Sequence, residues 1–93
     1  YGTVLSARAT LDDGFVFNLG GGFHHAKPSR GEGFCVYNDV AVAVALLRLD
    51  GLLADAARVA YIDLDVHQGN GVAHCFIDDP RTFIFDMFDP EIY

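Results

Sequence analysis

Two rhythms of apolar residues run along the chain. "TVLSARATL", Thr3 to Leu11, has the spacing of the end of a helix, stopped by Asp12-Asp13-Gly14. "VAVAVALLRL" reads as a second helix, capped by Asn38, beginning near Asp39, with Gly51 as its stop or kink. That helix is apolar on nearly every side, which predicts burial on both flanks. The other rhythm is short, β-branched and aromatic. "FVFNL" (Phe15 to Leu19), "VAYIDLDV" (Val59 to Val66) and "TFIFDMF" (Thr82 to Phe88) predict three buried strands, bounded by Gly20-Gly21-Gly22, by the glycines of "QGNG" and by Asp78-Asp79-Pro80. A short helix is expected after "QGNG", and a polar loop from Phe23 to Gly33.

Strand, helix, strand, short helix, strand is the α/β pattern with a parallel sheet. Ligands in such sheets gather at the carboxyl ends of the strands. The polar clusters fall there: Gly20 to His25 after the first strand, Asp63 to Gly71 after the second, Asp86 to Asp89 after the third.

Length changes this picture. A chain of 93 residues allows at most one domain, and it shows no repeats, linkers or low-complexity tracts. Even a chain of about 60 residues buries only ~60% of its unfolded surface, so a core of this size is marginal. Together with a start at Tyr1 and a stop at Tyr93 just after an apolar run, this predicts an internal portion of a larger domain. With 13 acidic against 6 basic residues, the net charge of -7 argues against nucleic acid as a direct partner and permits a cationic substrate. No stretch reads as a signal peptide or a membrane span. Cys35 and Cys75 are too few and too far apart for a disulfide scaffold or a CxxC site. They are expected to be buried, unreactive residues in a protein of a reducing, cytoplasmic compartment.

The chemistry concentrates in "IDLDVHQGNG", Ile62 to Gly71. Asp63, Asp65 and His67 alternate, so on an extended strand they share one face at ~6.6 Å intervals, too far apart to converge on one metal. The strand is therefore expected to curl near Asp65, with Gly69 and Gly71 supplying the freedom. Asp63 and Asp65 as loop caps, and His67 as a satisfied histidine, are the plain alternatives. Three ionisable groups at this spacing on an apolar strand outweigh them, because burying carboxylates there is costly without a cation or strong donor. A carboxylate and an imidazole suit a divalent metal, most simply zinc, in an open catalytic site.

"GGGFHH" is the second cluster. Consecutive histidines point to opposite sides of a strand, so His24 and His25 share a site only if the loop turns, which the glycines permit. Paired histidines suggest one that takes a proton and one that stabilises charge. A phosphate-cradling loop is disfavoured, because no GxGxxG or GxxxxGK[ST] frame follows. At three further places two readings stay open. Gly33-Phe34 forms either an aromatic wall beside a narrow pocket or core packing; Asn70 either orients a histidine or caps the short helix; Asp86 either joins the metal region or faces solvent. His74 is expected at the surface, and Tyr37 and Tyr61 in the core.

"GGGFHHA", "GFCVYNDVAVAV" and "YIDLDVHQGNG" stand in the order and approximate spacing of the histone deacetylase superfamily of zinc-dependent amidohydrolases, which the chain resembles from about Asn18 to Tyr93. The resemblance implies part of a three-layer α/β/α, arginase-like deacetylase fold, its N-terminal-to-central portion. It assigns Asp65 and His67 as zinc ligands, with a third aspartate farther down the chain than this sequence reaches. It matches His24 and His25 to the tandem catalytic histidines, His25 transferring the proton, and Asp63 to the aspartate supporting the first. The backbone regions of Asp63, Asp65 and His67 also match a structural monovalent cation site, usually potassium, with Asp86 near its remaining ligands. Phe34, with Gly33, matches one wall of the tunnel that grips the acyl-lysine side chain. Gln68 and Asn70 replace a histidine and an aspartate of the best-known branch, so "HQGNG" is more similar to class IV and its bacterial relatives. An amide at Asn70 fixes a tautomer but adds no charge.

The resemblance implies hydrolysis of an acyl-lysine amide by the complete protein. Deacetylation of acetylpolyamines or other small amides is one alternative, and a non-catalytic module that binds acyl-lysine is another. With two of three zinc ligands and without the tyrosine that assists the oxyanion, the chain by itself is expected to bind metal weakly and not to turn over.

Overall fold

Asn38 fixes where the most apolar helix begins. Its side-chain oxygen accepts the Ala41 N–H at 3.0 Å, a cap worth about 1 kcal/mol, and Asp39 in the first turn suits the helix dipole. In the computed structural model, which describes residues 1–93, the elements follow as α1 (Gly2–Asp13), α2 (Asp39–Leu49), β1 (Val59–Asp63), α3 (Asn70–Cys75) and β2 (Thr82–Asp86). Helix α1 runs through Asp12 and Asp13 and stops at Gly14, whose φ of 78° is the left-handed conformation that glycine adopts without penalty. Helix α2 packs against α1 on one side and meets α3 on another. Arg48, in its last turn, donates to the carbonyls of Ala54, Asp55 and Ala57 at 3.0 to 3.1 Å, closing the loop that leads into β1.

Strands β1 and β2 pair in parallel, from Val59 opposite Thr82 to Asp63 opposite Asp86. The α/β class with a parallel sheet is thus as expected, and the register sets two aspartates side by side where both strands end. Alternation decides which face is covered. Val59, Tyr61, Asp63, Thr82, Ile84 and Asp86 are partly or fully buried, whereas Ala60, Ile62, Phe83 and Phe85 are exposed.

Several expectations are corrected. Phe15 to Leu19 forms no strand: Phe15, Phe17 and Leu19 are exposed, and the two phenyl rings meet edge to face at 5.1 Å. Apolarity suits a residue to a sheet, but a strand also needs a neighbour for its N–H and C=O groups, and the one sheet pairs β1 with β2 alone. Helix α2 is buried at Ala43, Val44 and Leu47 but open at Val42 and Leu49, because α1 and α3 leave part of its surface uncovered. Tyr37 is 78% exposed rather than core. Only seven apolar residues are buried, so the thin core foreseen from chain length is observed. His74 is exposed, as expected; Cys35 and Cys75 are both free thiols, the first buried and the second half-buried, and burial pushes the Cys75 thiol up. No helix is long and apolar enough to cross a membrane.

Candidate active site

The loop carrying the histidines is tied down from α1 and α2. Asp39 accepts the N–H groups of Gly22 and Phe23 at 2.9 and 2.7 Å and the Thr3 hydroxyl at 2.6 Å. Burial alone would raise the Asp39 carboxyl, but these bonds outweigh it and hold the group below its ordinary range. Gly22 takes φ 88°, and a turn follows in which the Ala26 N–H reaches Phe23 O at 3.4 Å. Asn38, already the cap of α2, donates to Ala26 O at 3.1 Å. The turn puts the rings of His24 and His25 on a common site, their centroids 4.2 Å apart, and both residues are buried.

From the other side, β1 ends at Asp63 and the chain bends. The bend begins two residues earlier than the expected curl at Asp65, and its cause is different. The Asp65 N–H donates to Asp63 Oδ1 at 3.0 Å and the His67 N–H to Asp65 Oδ1 at 2.8 Å, two successive aspartate turns. Gly69 and Gly71 have no positive φ; they serve close approach instead. A Cβ on Gly69 would stand 2.6 Å from Asp63 Oδ2, and one on Gly71 would overlap the backbone of His25 and Ala26. Helix α3 therefore lies directly against the histidine turn, with the Val72 N–H on His24 O at 3.1 Å.

The bend splits the three residues that an extended strand would have aligned. Asp63 turns inward, 5% exposed, and its Oδ2 meets His24 Nδ1 at 2.8 Å and the Tyr61 hydroxyl at 2.7 Å. Burial opposes its ionisation, yet the bonds from His24, Tyr61 and the Asp65 N–H hold its carboxyl below the ordinary range. Burial and the Asp63 bond push the Tyr61 phenol far up, so it remains a donor. A carboxylate only accepts, so His24 carries its proton on Nδ1 and keeps Nε2 free.

Asp65 and His67 turn outward, about half exposed, with Asp65 Oδ1 2.9 Å from His67 Nδ1. The backbone and side-chain bonds from His67 keep Asp65 ionised. An ionised carboxylate and an imidazole nitrogen this close fit two adjacent positions on one divalent metal. No group of three or more His, Cys, Asp or Glu side chains is arranged to hold a metal ion, so a site here would need donors beyond this pair. Asp86 lies behind it. Its Oδ2 accepts the Gly69 N–H at 2.8 Å, and its Oδ1 is buried with no partner, the one orphaned buried acceptor among the side chains. An unpaired carboxylate oxygen in that position suits a cation.

His25 is held differently. Its Nδ1 is 2.9 Å from Asn70 Oδ1, so of the two readings Asn70 takes the one that orients a histidine; the cap position of α3 is Gly69, and no side chain caps it. Gly33 packs flat beneath the imidazole, where any Cβ would strike the ring. Glu32 and Cys35 exchange backbone hydrogen bonds at 3.0 and 2.8 Å around Gly33 and Phe34, both with positive φ (53° and 64°), the pattern of a type I′ turn. The turn presents Phe34 fully exposed, which excludes the core-packing reading. Tyr93 stacks on His25 with centroids 4.2 Å apart and planes 33° apart. Neither Tyr93 nor Glu32, to which the Tyr93 hydroxyl donates at 2.8 Å, was foreseen as a site residue. Tyr61 was expected in the core and was readable as a partner of Asp63, two residues along the same strand face.

A mixed α/β chain with paired histidines and a carboxylate–imidazole pair at its strand ends has the layout of an α/β enzyme site. The chain belongs to the histone deacetylase family: the family's histone deacetylase domain matches residues 2–93. It is 46% identical to histone deacetylase 2 of Arabidopsis thaliana over 94 residues, covering 99% of this chain and 23% of that protein. It is 49% identical to the acetoin utilization protein AcuC of Bacillus subtilis over 76 residues, 82% of this chain and 19% of the other. An uncharacterized protein of Picosynechococcus is 48% identical over 86 residues, 92% of this chain and 28% of that one. The chain thus spans about a quarter of the length of these curated relatives.

Proposed function

We propose that the protein carrying this chain is a zinc-dependent deacylase that hydrolyses the amide between an acyl group and a primary amine, with acyl-lysine of a protein as the substrate. The observation that carries the reading is the pair of adjoining histidines, each fixed through Nδ1 by a different acceptor, beside the Asp65–His67 donor pair. Family membership and relatives named as a deacetylase and as AcuC support it.

Asp65 and His67 would hold zinc together with a further donor from outside these residues. Zinc when bound supplies Lewis acidity, lowering the pKa of water from about 15.7 toward ~7. The chain's own residues do the rest. His25, with Nδ1 donated to Asn70, offers the Nε2 lone pair as general base to the attacking water and returns a proton to the leaving amine. A carboxylate stabilises an adjacent imidazolium and an amide does not, so His24 beside Asp63 is the charge-stabilising partner. Water attack makes the reaction direct hydrolysis, with no acyl-enzyme. Phe34, with Gly33 behind it, forms one wall of the channel for the acyl-lysine stem. Asp86, through its unpaired oxygen, and the backbone near Asp63 would hold a monovalent cation such as potassium, which would neutralise charge at the strand ends. The chain is part of the catalytic domain, similar in "HQGNG" to the class IV group and its bacterial relatives, and works in a reducing, cytoplasmic compartment.

A substrate panel on the full-length, zinc-loaded protein tests this. Acetyl-lysine peptides are expected to be cleaved in preference to acetylated polyamines. The reverse preference makes the protein a small-amide deacetylase. Binding of acetyl-lysine without any acetate release makes it a non-catalytic module.

A further inference from the structure

Asn70 raises a question that its own chemistry does not answer. A carboxamide has an acceptor end and a donor end of nearly the same shape, and either could face His25. Facing Oδ1, the imidazole must carry its proton on Nδ1 and leaves Nε2 as a base. Facing Nδ2, the imidazole must accept, the proton moves to Nε2, and the base is lost. Nothing in His25 or Asn70 alone selects between the two.

Glu32 makes the selection. Its Oε2 lies 2.5 Å from Asn70 Nδ2, and a carboxylate accepts only, so the end of Asn70 that faces it must be the NH2 group. The same oxygen accepts the Tyr93 hydroxyl at 2.8 Å. Lys27 Nζ and Arg30 donate to the other oxygen at 2.9 and 3.3 Å. Lys27 first, then Tyr93 and Asn70, hold the Glu32 carboxyl down at about 2, so it stays ionised across any physiological pH. Its place is fixed by the type I′ turn at Gly33-Phe34, the same turn that sets Gly33 beneath the His25 ring.

We propose that Glu32 is a positioning residue that acts through Asn70 to fix the tautomer of His25, forming a relay Glu32–Asn70–His25 parallel to the direct Asp63–His24 contact. Asn70 lacks the charge of an aspartate; the relay sets a carboxylate one side chain farther back, where it orients the amide. The inference deepens the deacylase reading and rests on it for its effect on turnover, while the tautomer itself is open to measurement without turnover.

The test uses the full-length protein with 15N-labelled histidine, at a pH where the imidazoles are neutral, with His25 assigned by its absence in His25→Gln. The wild type is expected to show His25 protonated on Nδ1. Glu32→Leu is expected to give a mixture of tautomers and to lower kcat about tenfold with KM unchanged, in the range of other lost supporting contacts. Glu32→Gln keeps an acceptor oxygen for the Asn70 amide and is expected to restore the tautomer and bring kcat to within about threefold of wild type. If Glu32 served only as the salt-bridge partner of Lys27 and Arg30, Glu32→Gln would lose as much as Glu32→Leu, which overturns the relay. An unchanged tautomer in Glu32→Leu overturns it as well. Should Glu32→Leu not fold, Asn70→Ala leaves Glu32 with its two cations and is expected to give the same mixed tautomers; an unmixed Nδ1–H signal there refutes the relay. A wild type that shows the tautomer dependence without any turnover supports the relay and refutes the deacylase reading instead.

Discussion

His24 and His25 have touching rings and supports of opposite kind. His24 rests on a buried carboxylate that also takes the Tyr61 hydroxyl and a backbone N–H, all within one strand and the bend that follows it. His25 rests on a neutral amide, with its charge one residue farther away on a loop held by lysine and arginine. Two imidazoles of identical intrinsic chemistry thereby meet unlike partners at Nδ1: a carboxylate at the first, an amide oxygen at the second. Environment, rather than residue type, divides the labour.

The largest effect expected from breaking this comparison is at the base. His25→Ala should lower kcat on an acetyl-lysine peptide by about 10²- to 10⁴-fold, the usual contribution of general acid–base catalysis, with peptide affinity retained. Asp63→Asn comes next. It leaves the His24 and Tyr61 donors facing a weaker acceptor, so a fall in kcat of roughly 10- to 100-fold is expected, with a loss of about 2 kcal/mol in denaturant unfolding.

A smaller effect appears on acidification. Asp39, Asp63 and Glu32 all have folded-state values below their ordinary ones, so the stability that they confer is present above those ordinary values and lost as pH falls through the folded ones. For Glu32 the window runs from 4.5 down to about 2. Thermal unfolding midpoints should therefore drop as pH falls below 4.5, and drop less steeply in Asp39→Asn, which has already given up its share.

Local chemistry was legible in the sequence wherever the signal and its partner lie close together. Asn38 as a cap, Gly14 as a stop, and the parallel pairing of the Val59 and Thr82 runs follow from spacing and residue type. The placing of Asp63, Asp65 and His67 followed from a polar cluster at the end of a strand; that of His24 and His25 did not, because the strand expected before them does not form. What was not legible depends on distant partners. Phe15 to Leu19 has the composition of a strand, yet pairing is a property of two segments, and none lies beside it. Tyr37 looks like core by type but lies on a surface that α2 leaves open. Glu32 and Tyr93 reach the site across separations of 38 and 61 residues, and no local pattern marks either. Metal geometry called for a curl near Asp65 with its freedom supplied by glycine, and the bend instead begins at Asp63. The aspartates themselves make it, and the glycines make room for α3.

Removal and return of metal in the full-length protein tests the central claim most directly. Turnover of an acetyl-lysine peptide should disappear on chelation and return with zinc, and zinc should fail to restore it in Asp65→Asn or His67→Ala. Turnover that survives chelation, or that zinc restores in full to both variants, would contradict the assignment of this pair to the metal.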